Sequence, residues 1–270
     1  MPSPQHSLPF PDPAEPAIAL VPAKPPALPR SPRTWYFTGT TLFALGIYAV
    51  QMLVQLVIFI LMIAYGVAPT GTAAELRALT LNGGWLALCL IVTCPFTLGA
   101  IWIPVRIARQ SFSDYLGLRW PSRSEVISGL AMLAAFQLAV LLFRLALAQP
   151  IPAFMTETYG SAKADGTLTL YVVGMCIAAP IMEEFLFRGF VLRGWSQSFL
   201  GPVGAVALSS LVWAAMHTQY NLFYMFWIFT FGILLGTLRL RNGSTWLTLL
   251  LHALHNLLAI AQVALLVSGV

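Results

Sequence analysis

Charged side chains are scarce in this 270-residue chain: Asp, Glu, Lys and Arg make up 9% of it, against 59% hydrophobic residues. The mean hydropathy is +0.81. A water-soluble domain carries nearer a quarter charged residues, so this composition excludes a monomer that stays dispersed in water. Cysteine is nearly absent. The three present, Cys89, Cys94 and Cys176, lie within apolar runs without metal-site spacing and read as packing residues, and no disulfide framework is expected. Strict apolar–polar alternation is also missing, which excludes a transmembrane barrel. Backbone groups in lipid must be satisfied internally, so helices remain. The net charge of +5 is spread beside hydrophobic spans instead of along one stripe, so no nucleic-acid partner is expected. The expected fold class is an all-α polytopic membrane protein with the lipid bilayer as its surroundings.

Residues 1–33 hold 11 of the 19 prolines and predict a disordered, partly extended tail, without the short apolar core and cleavage site of a secretory signal. About 20 apolar residues span a bilayer. By that measure there are about seven spans, over roughly 35–66, 85–108, 126–148, 168–190, 203–219, 221–239 and 245–268. Pro95 and Pro104 predict a kink or an early end in the second. The domain reading is a tail over 1–33, N-terminal membrane helices with a loop over 34–125, and a C-terminal group of membrane helices over 126–268. With the tail inside, eleven Lys and Arg residues fall on the cytoplasmic side, and only Arg77, Arg144 and Lys163 on the other. This pattern predicts a multi-pass protein of the plasma (inner) membrane with its N-terminus in and its C-terminus out. The largest inside loop, Asp114–Glu125, is expected to carry a short interfacial helix.

The polar chemistry of the hydrophobic region gathers in three stretches. Glu183 and Glu184 stand in A-P-I-M-E-E-F-L-F-R-G, followed by W-A-A-M-H ending at His217, and H-A-L-H-N over His252 to Asn256. Acids at membrane depth are costly, which makes such a pair a functional-site hypothesis by default. On a helix Glu184 and Arg188 share a face and can pair, while Glu183 points about 100° away. Glu183 is therefore the candidate general base and Glu184 its structural neighbour; a helix-locking charge cluster is the plainer alternative. His252 and Asn256, also four apart, could both donate toward a developing oxyanion. His217 closes the set from another helix, and His255 reads as a supporting or packing residue. Glu183, His217 and His252 could also supply three ligands to a divalent metal such as zinc, although H-E-x-x-H is absent. The same side chains could hold and activate a water without metal. Both readings stand at this point.

E-E-F-L-F-R, an aromatic residue (Trp213) ahead of His217, and H-A-L-H-N occur in the order of the CAAX prenyl protease type II family, also known as the CPBP intramembrane metalloprotease group, and residues 126–268 resemble it. The G-L-R-W-P stretch resembles the run that commonly precedes that domain. The resemblance implies an endopeptidase cutting a membrane-associated peptide or protein, in the prenylated CAAX case at a lipidated C-terminus. Glu183 would activate water with help from His217, His252 and Asn256 would bind the oxyanion, and Glu184 and Arg188 would support the first motif. One departure is Trp213 where the family usually has Phe; its extra N–H wants a partner. The Pro/Ala-rich tail and compact loops have a bacterial look, in which exported peptides or membrane proteins are the expected substrates. A non-catalytic chaperone or self-immunity regulator on the same scaffold, and a proton-coupled transporter, are the rival classes. The transporter would prefer two related halves, and no internal repeat is evident.

One expectation concerns depth. Counted at about 1.5 Å per residue, His217 lies deeper than Glu183 if its helix starts at the surface. The S-Q-S-F-L-G-P-V-G segment is therefore expected to break the path from one span to the next.

Overall fold

The computed structural model describes residues 34–65 and 72–267; the expected disordered tail over 1–33 lies outside them. The described chain is helical, with one isolated bridge, Leu118 to Ser244, and no strand. Its elements are α1 (Tyr36–Ala64), α2 (Ala73–Thr80), α3 (Gly83–Ile107), α4 (Phe112–Leu116), α5 (Arg123–Ala146), α6 (Ala153–Ala164), α7 (Leu168–Ser196), α8 (Gly201–Ala215), α9 (Leu222–Asn242) and α10 (Thr245–Val267).

Among the described residues six helices, α1, α3, α5, α7, α9 and α10, are long and apolar enough to cross a membrane. The all-α membrane fold is as expected, but the count of about seven spans is corrected. The expected span over 203–219 is α8, whose 15 residues reach only about 22 Å, short of the roughly 30 Å hydrocarbon core. Gly201 (φ +61°) and Pro202 set its start, following the break expected over 196–204. Helix α3 runs through Pro95 and Pro104 to Ile107, so neither proline ends it early.

The bundle has two chemically different ends. At one, Arg193 donates to the Asp114 and Tyr115 carbonyls, Arg239 donates to the Leu116 carbonyl, and Thr245 N–H donates to Gly117 O (2.9 Å). These bonds fasten α4 and the expected inside loop onto the ends of α7 and α9 and the start of α10. Tyr115 and Leu116 are thereby buried, and the loop is a plug more than a floating interfacial helix. Burial pushes the Tyr115 hydroxyl up to about 12 despite the nearby Arg193 guanidinium, so the phenol enters the core neutral. This end carries Arg106, Arg109, Arg119, Arg123, Arg193, Arg239 and Arg241 with Asp114 and Glu125. At the other end Asn82 donates to Asp165 (2.8 Å), Gly83 N–H to Ser161 (2.8 Å) and Tyr224 to Pro150 O (2.6 Å). There three basic residues, Arg77, Arg144 and Lys163, are matched by Glu75, Glu157 and Asp165.

Helix α7 is not a regular helix. Two π-helical segments, Gly174–Ala178 and Phe185–Val191, bracket the six residues Ala179–Glu184 that hold both glutamates. π-Segments within helices recur at functional sites because they rotate the side chains that follow them. Gly174 lets the widened turn sit against α3, since a Cβ there would stand 2.7 Å from the Ala87 Cα. Small-residue contact of this kind is how helices approach closely in lipid.

Candidate active site

Glu184 is fully buried, and its Oε1 accepts from Arg188 Nη1 (3.0 Å), the i,i+4 partner expected from the spacing. The same oxygen faces His252 Nδ1 at 2.9 Å, a contact that sequence reasoning missed. A carboxylate only accepts, so Nδ1 carries a proton and Nε2 is the nitrogen left open. His217 is fixed the same way: its Nδ1 lies 2.7 Å from the Trp213 carbonyl, another pure acceptor. Both imidazoles are thus oriented through Nδ1, which leaves each Nε2 open.

Glu183 is half-buried, and its Oε2 accepts a 2.6 Å bond from the Trp213 indole N–H. That is the partner the extra N–H of Trp213 required. Trp213 is the hub of the site. Its ring centre lies 5.3 Å from that of His217 and 5.4 Å from that of His252, and the Arg188 guanidinium carbon stands 4.3 Å over its face. The residue level with Glu183 on α8 is therefore Trp213; His217 stands a turn beyond and folds back onto it. No direct hydrogen bond joins Glu183 to His217 or His252 among the described residues.

Glu183, Trp213, His217, His252, His255 and Asn256 all line one chamber of about 270 Å³. A water needs about 10–15 Å³ of such volume, which leaves room for a water at Glu183 and a substrate segment beside it. The remaining lining is mostly aliphatic and aromatic, from Leu86 and Leu90 on α3 to Trp227 and Phe231 on α9, with Arg144 as its one basic residue. Tyr220, which the sequence reading passed over, stacks toward His217 (6.3 Å between ring centres). Burial, then the neighbouring Tyr171 and Glu183, push its hydroxyl's pKa far up, so it faces the chamber as a neutral O–H. The signal available in advance was its place three residues after His217 in the loop ending α8. His255 supports the wall as expected, stacked on Phe231 at 4.3 Å with Nδ1 3.0 Å from Gln137 Oε1.

Asn256 has a second task. Its Nδ2 donates to the Met175 carbonyl at 2.7 Å. In the π-segment the Ala179 N–H bonds Gly174 O, and the next residue, Pro180, has no N–H to give. Met175 O is left for Asn256, which spends one amide proton on holding α10 to α7. Asn256→Ala should cost about 1–3 kcal/mol for the carbonyl left unmet. In a Pro180→Ala background, where residue 180 regains a donor, the loss in thermal midpoint on Asn256→Ala should shrink by at least half; an unchanged loss would show that the bond is incidental.

Glu183, His217 and His252 were expected as alternative metal ligands. Among the described residues no three His, Cys, Asp or Glu side chains group closely enough to hold a metal ion. The bonds to Glu184, the Trp213 carbonyl and the Trp213 indole occupy one nitrogen of each imidazole and one oxygen of Glu183, leaving the second atom of each open, and no step below is routed through a metal.

No solved structure matches the chain. A protein of Escherichia coli described as "Uncharacterized 24.3 kDa protein" is 34% identical over 122 residues, covering 44% of this chain and 56% of that protein. The chain thus spans a little over half the length of that relative. Residues 165–258, which contain all three motifs, match the family described as "Type II CAAX prenyl endopeptidase Rce1-like". The apolar helices and this match together make the chain an integral membrane protein. Over residues 165–258, about a third of its length, the chain is similar to that family.

Proposed function

We propose that the protein is an intramembrane endopeptidase, with its catalytic region in residues 126–268, acting on a membrane-associated polypeptide. The observation that carries this reading is the position of Glu183: one carboxylate oxygen is held by Trp213 and the other is left to a chamber that two oriented imidazoles share. In this mechanism the Glu183 carboxylate takes a proton from a water held near His217 Nε2. The water oxygen bonds to the scissile carbonyl carbon, the carbonyl oxygen becomes an oxyanion, and the C–N bond then breaks as Glu183 returns the proton to the leaving amine. The second amide proton of Asn256 and a protonated His252 Nε2 meet the oxyanion. Glu184 beneath His252 stabilises that imidazolium, much as a buried acid supports a catalytic histidine elsewhere.

The test is cleavage of lipid-anchored and membrane-tethered peptides by the full chain in detergent and in vesicles. His217→Ala should lower kcat about 10²–10⁴-fold, the range for loss of a positioned acid–base group. Equal turnover by wild type and His217→Ala would reject the assignment.

The Trp213 bond gives a finer expectation. Trp213→Phe keeps the ring but removes the donor, so the Glu183 carboxylate is free to rotate. A drop in kcat of about tenfold with KM unchanged corresponds to about 1.4 kcal/mol of lost orientation. The indole N–H signal of Trp213 in a ¹⁵N-tryptophan spectrum should also move on Glu183→Gln, which a purely packing tryptophan would not show.

A further inference from the structure

Resting on that reading, we propose that substrates enter the chamber from the end of the bundle opposite its arginines, so that the protein cuts polypeptide segments exposed on the non-cytoplasmic side of the membrane. Three independent observations converge on this.

First, the chamber runs one way. From Glu183, Trp213 and His252 its walls continue through Phe154 and Tyr220 to Pro152, Gln219 and Arg144, where α5 ends, α6 begins and α8 passes into α9. None of the residues that fasten α4 to α7, α9 and α10 lines it.

Second, the opposite route is closed by packed core. Below the glutamates, Phe185, Phe187, Phe190, Tyr115, Leu116 and Leu235 are all buried in one cluster, and the Glu184–Arg188 pair is sealed among them. Interiors pack as tightly as organic crystals, so a peptide could reach Glu183 from that end only by dismantling the plug.

Third, charge assigns the two ends to the two sides. The plugged end holds seven arginines against two acids, whereas the end with the chamber mouth holds three basic residues against three acids. Short loops rich in Lys and Arg stay in the cytoplasm, which leaves the mouth on the far side. A tail that remains in the cytoplasm cannot reach the general base. The substrate class is therefore an exported or translocated polypeptide held close to the outer leaflet by a lipid or an apolar segment, consistent with the apolar walls of the chamber.

Sidedness can be read without knowing the substrate. In membrane vesicles carrying the full chain, a membrane-impermeant maleimide should label Gln219→Cys only in right-side-out vesicles and Arg123→Cys only in inverted ones. Both positions are exposed, and neither belongs to the catalytic set. The reverse pattern would overturn the proposal outright. In the second arm, a lipid-anchored peptide is offered to the outside of each vesicle type and to detergent-solubilised protein. Cleavage should occur in detergent and in right-side-out vesicles, and modification of Gln219→Cys by a bulky maleimide should slow it at least tenfold. Cleavage confined to inverted vesicles would overturn the proposal. Absence of Glu183-dependent cleavage in detergent would instead count against the peptidase reading, while the labelling arm would still decide which way the chamber faces.

Discussion

Glu183→Gln should abolish peptide-bond cleavage, with a fall in kcat of about 10³-fold or more, while the protein remains folded. The substitution keeps the side chain's size and still offers an oxygen to the Trp213 N–H, so the 2.6 Å bond has a replacement acceptor. What it removes is the ability to take a proton. General-base contributions run to about 10²–10⁴-fold, and no other carboxylate lines the chamber to take over. His217, beside the same water, helps to hold it but is left with the weaker share of the proton transfer. The check is single-turnover cleavage of a tethered peptide together with the thermal midpoint of both proteins. A variant that folds normally and cuts at the wild-type rate would remove Glu183 from the mechanism.

The second large expectation concerns its neighbour and lands on stability first. Glu184→Ala should cost about 3–5 kcal/mol, the penalty for leaving a buried charge without its partner. Both charges of the pair are nearly or wholly inaccessible, with side-chain exposures of 0% for Glu184 and 3% for Arg188, and no bulk water is at hand to screen them. His252 would lose its orienting acceptor at the same time, so residual activity should fall further than the folded fraction does. Replacing both members, Glu184→Leu with Arg188→Leu, should restore much of the thermal midpoint, because an apolar pair leaves no stranded charge. It should not restore activity, because His252 would still lack its acceptor. If the double variant is no more stable than Glu184→Ala, the pair is not the source of the loss. The two glutamates thus separate by measurement: changing one removes chemistry from a sound fold, and changing the other undermines the fold beneath the chemistry.

Much of this arrangement was legible in the residues. Hydropathy gave the helical membrane class, and the i,i+4 rule gave the Glu184–Arg188 pair, because both depend only on local periodicity. The same rule placed Glu183 on a different face from Glu184. The break after Ser196 was readable from Gly201 and Pro202, whose backbone preferences are intrinsic. Tertiary contacts were not readable. That His252 would bond Glu184 depends on how α10 crosses α7, and no spacing within either helix encodes that crossing. The bond between Asn256 and Met175 required knowing that α7 widens at Gly174; Pro180 hinted at an unmet carbonyl but not at which side chain would meet it. The count of spans erred because α8 is as apolar as a membrane-crossing helix, and only its length distinguishes it.

The widened turns of α7 also bear on how this chain tolerates change in length. Each holds one residue more than a regular helix needs for the same rise, and each residue turns a helix by about 100°. Deleting a single residue within Gly174–Ala178 would let that stretch relax into ordinary helix and swing everything downstream by that angle relative to α3. Glu183 would leave the chamber wall and a neighbour would take its place. This helix cannot absorb a change in length, although to a hydropathy plot it is just another uniform apolar stretch.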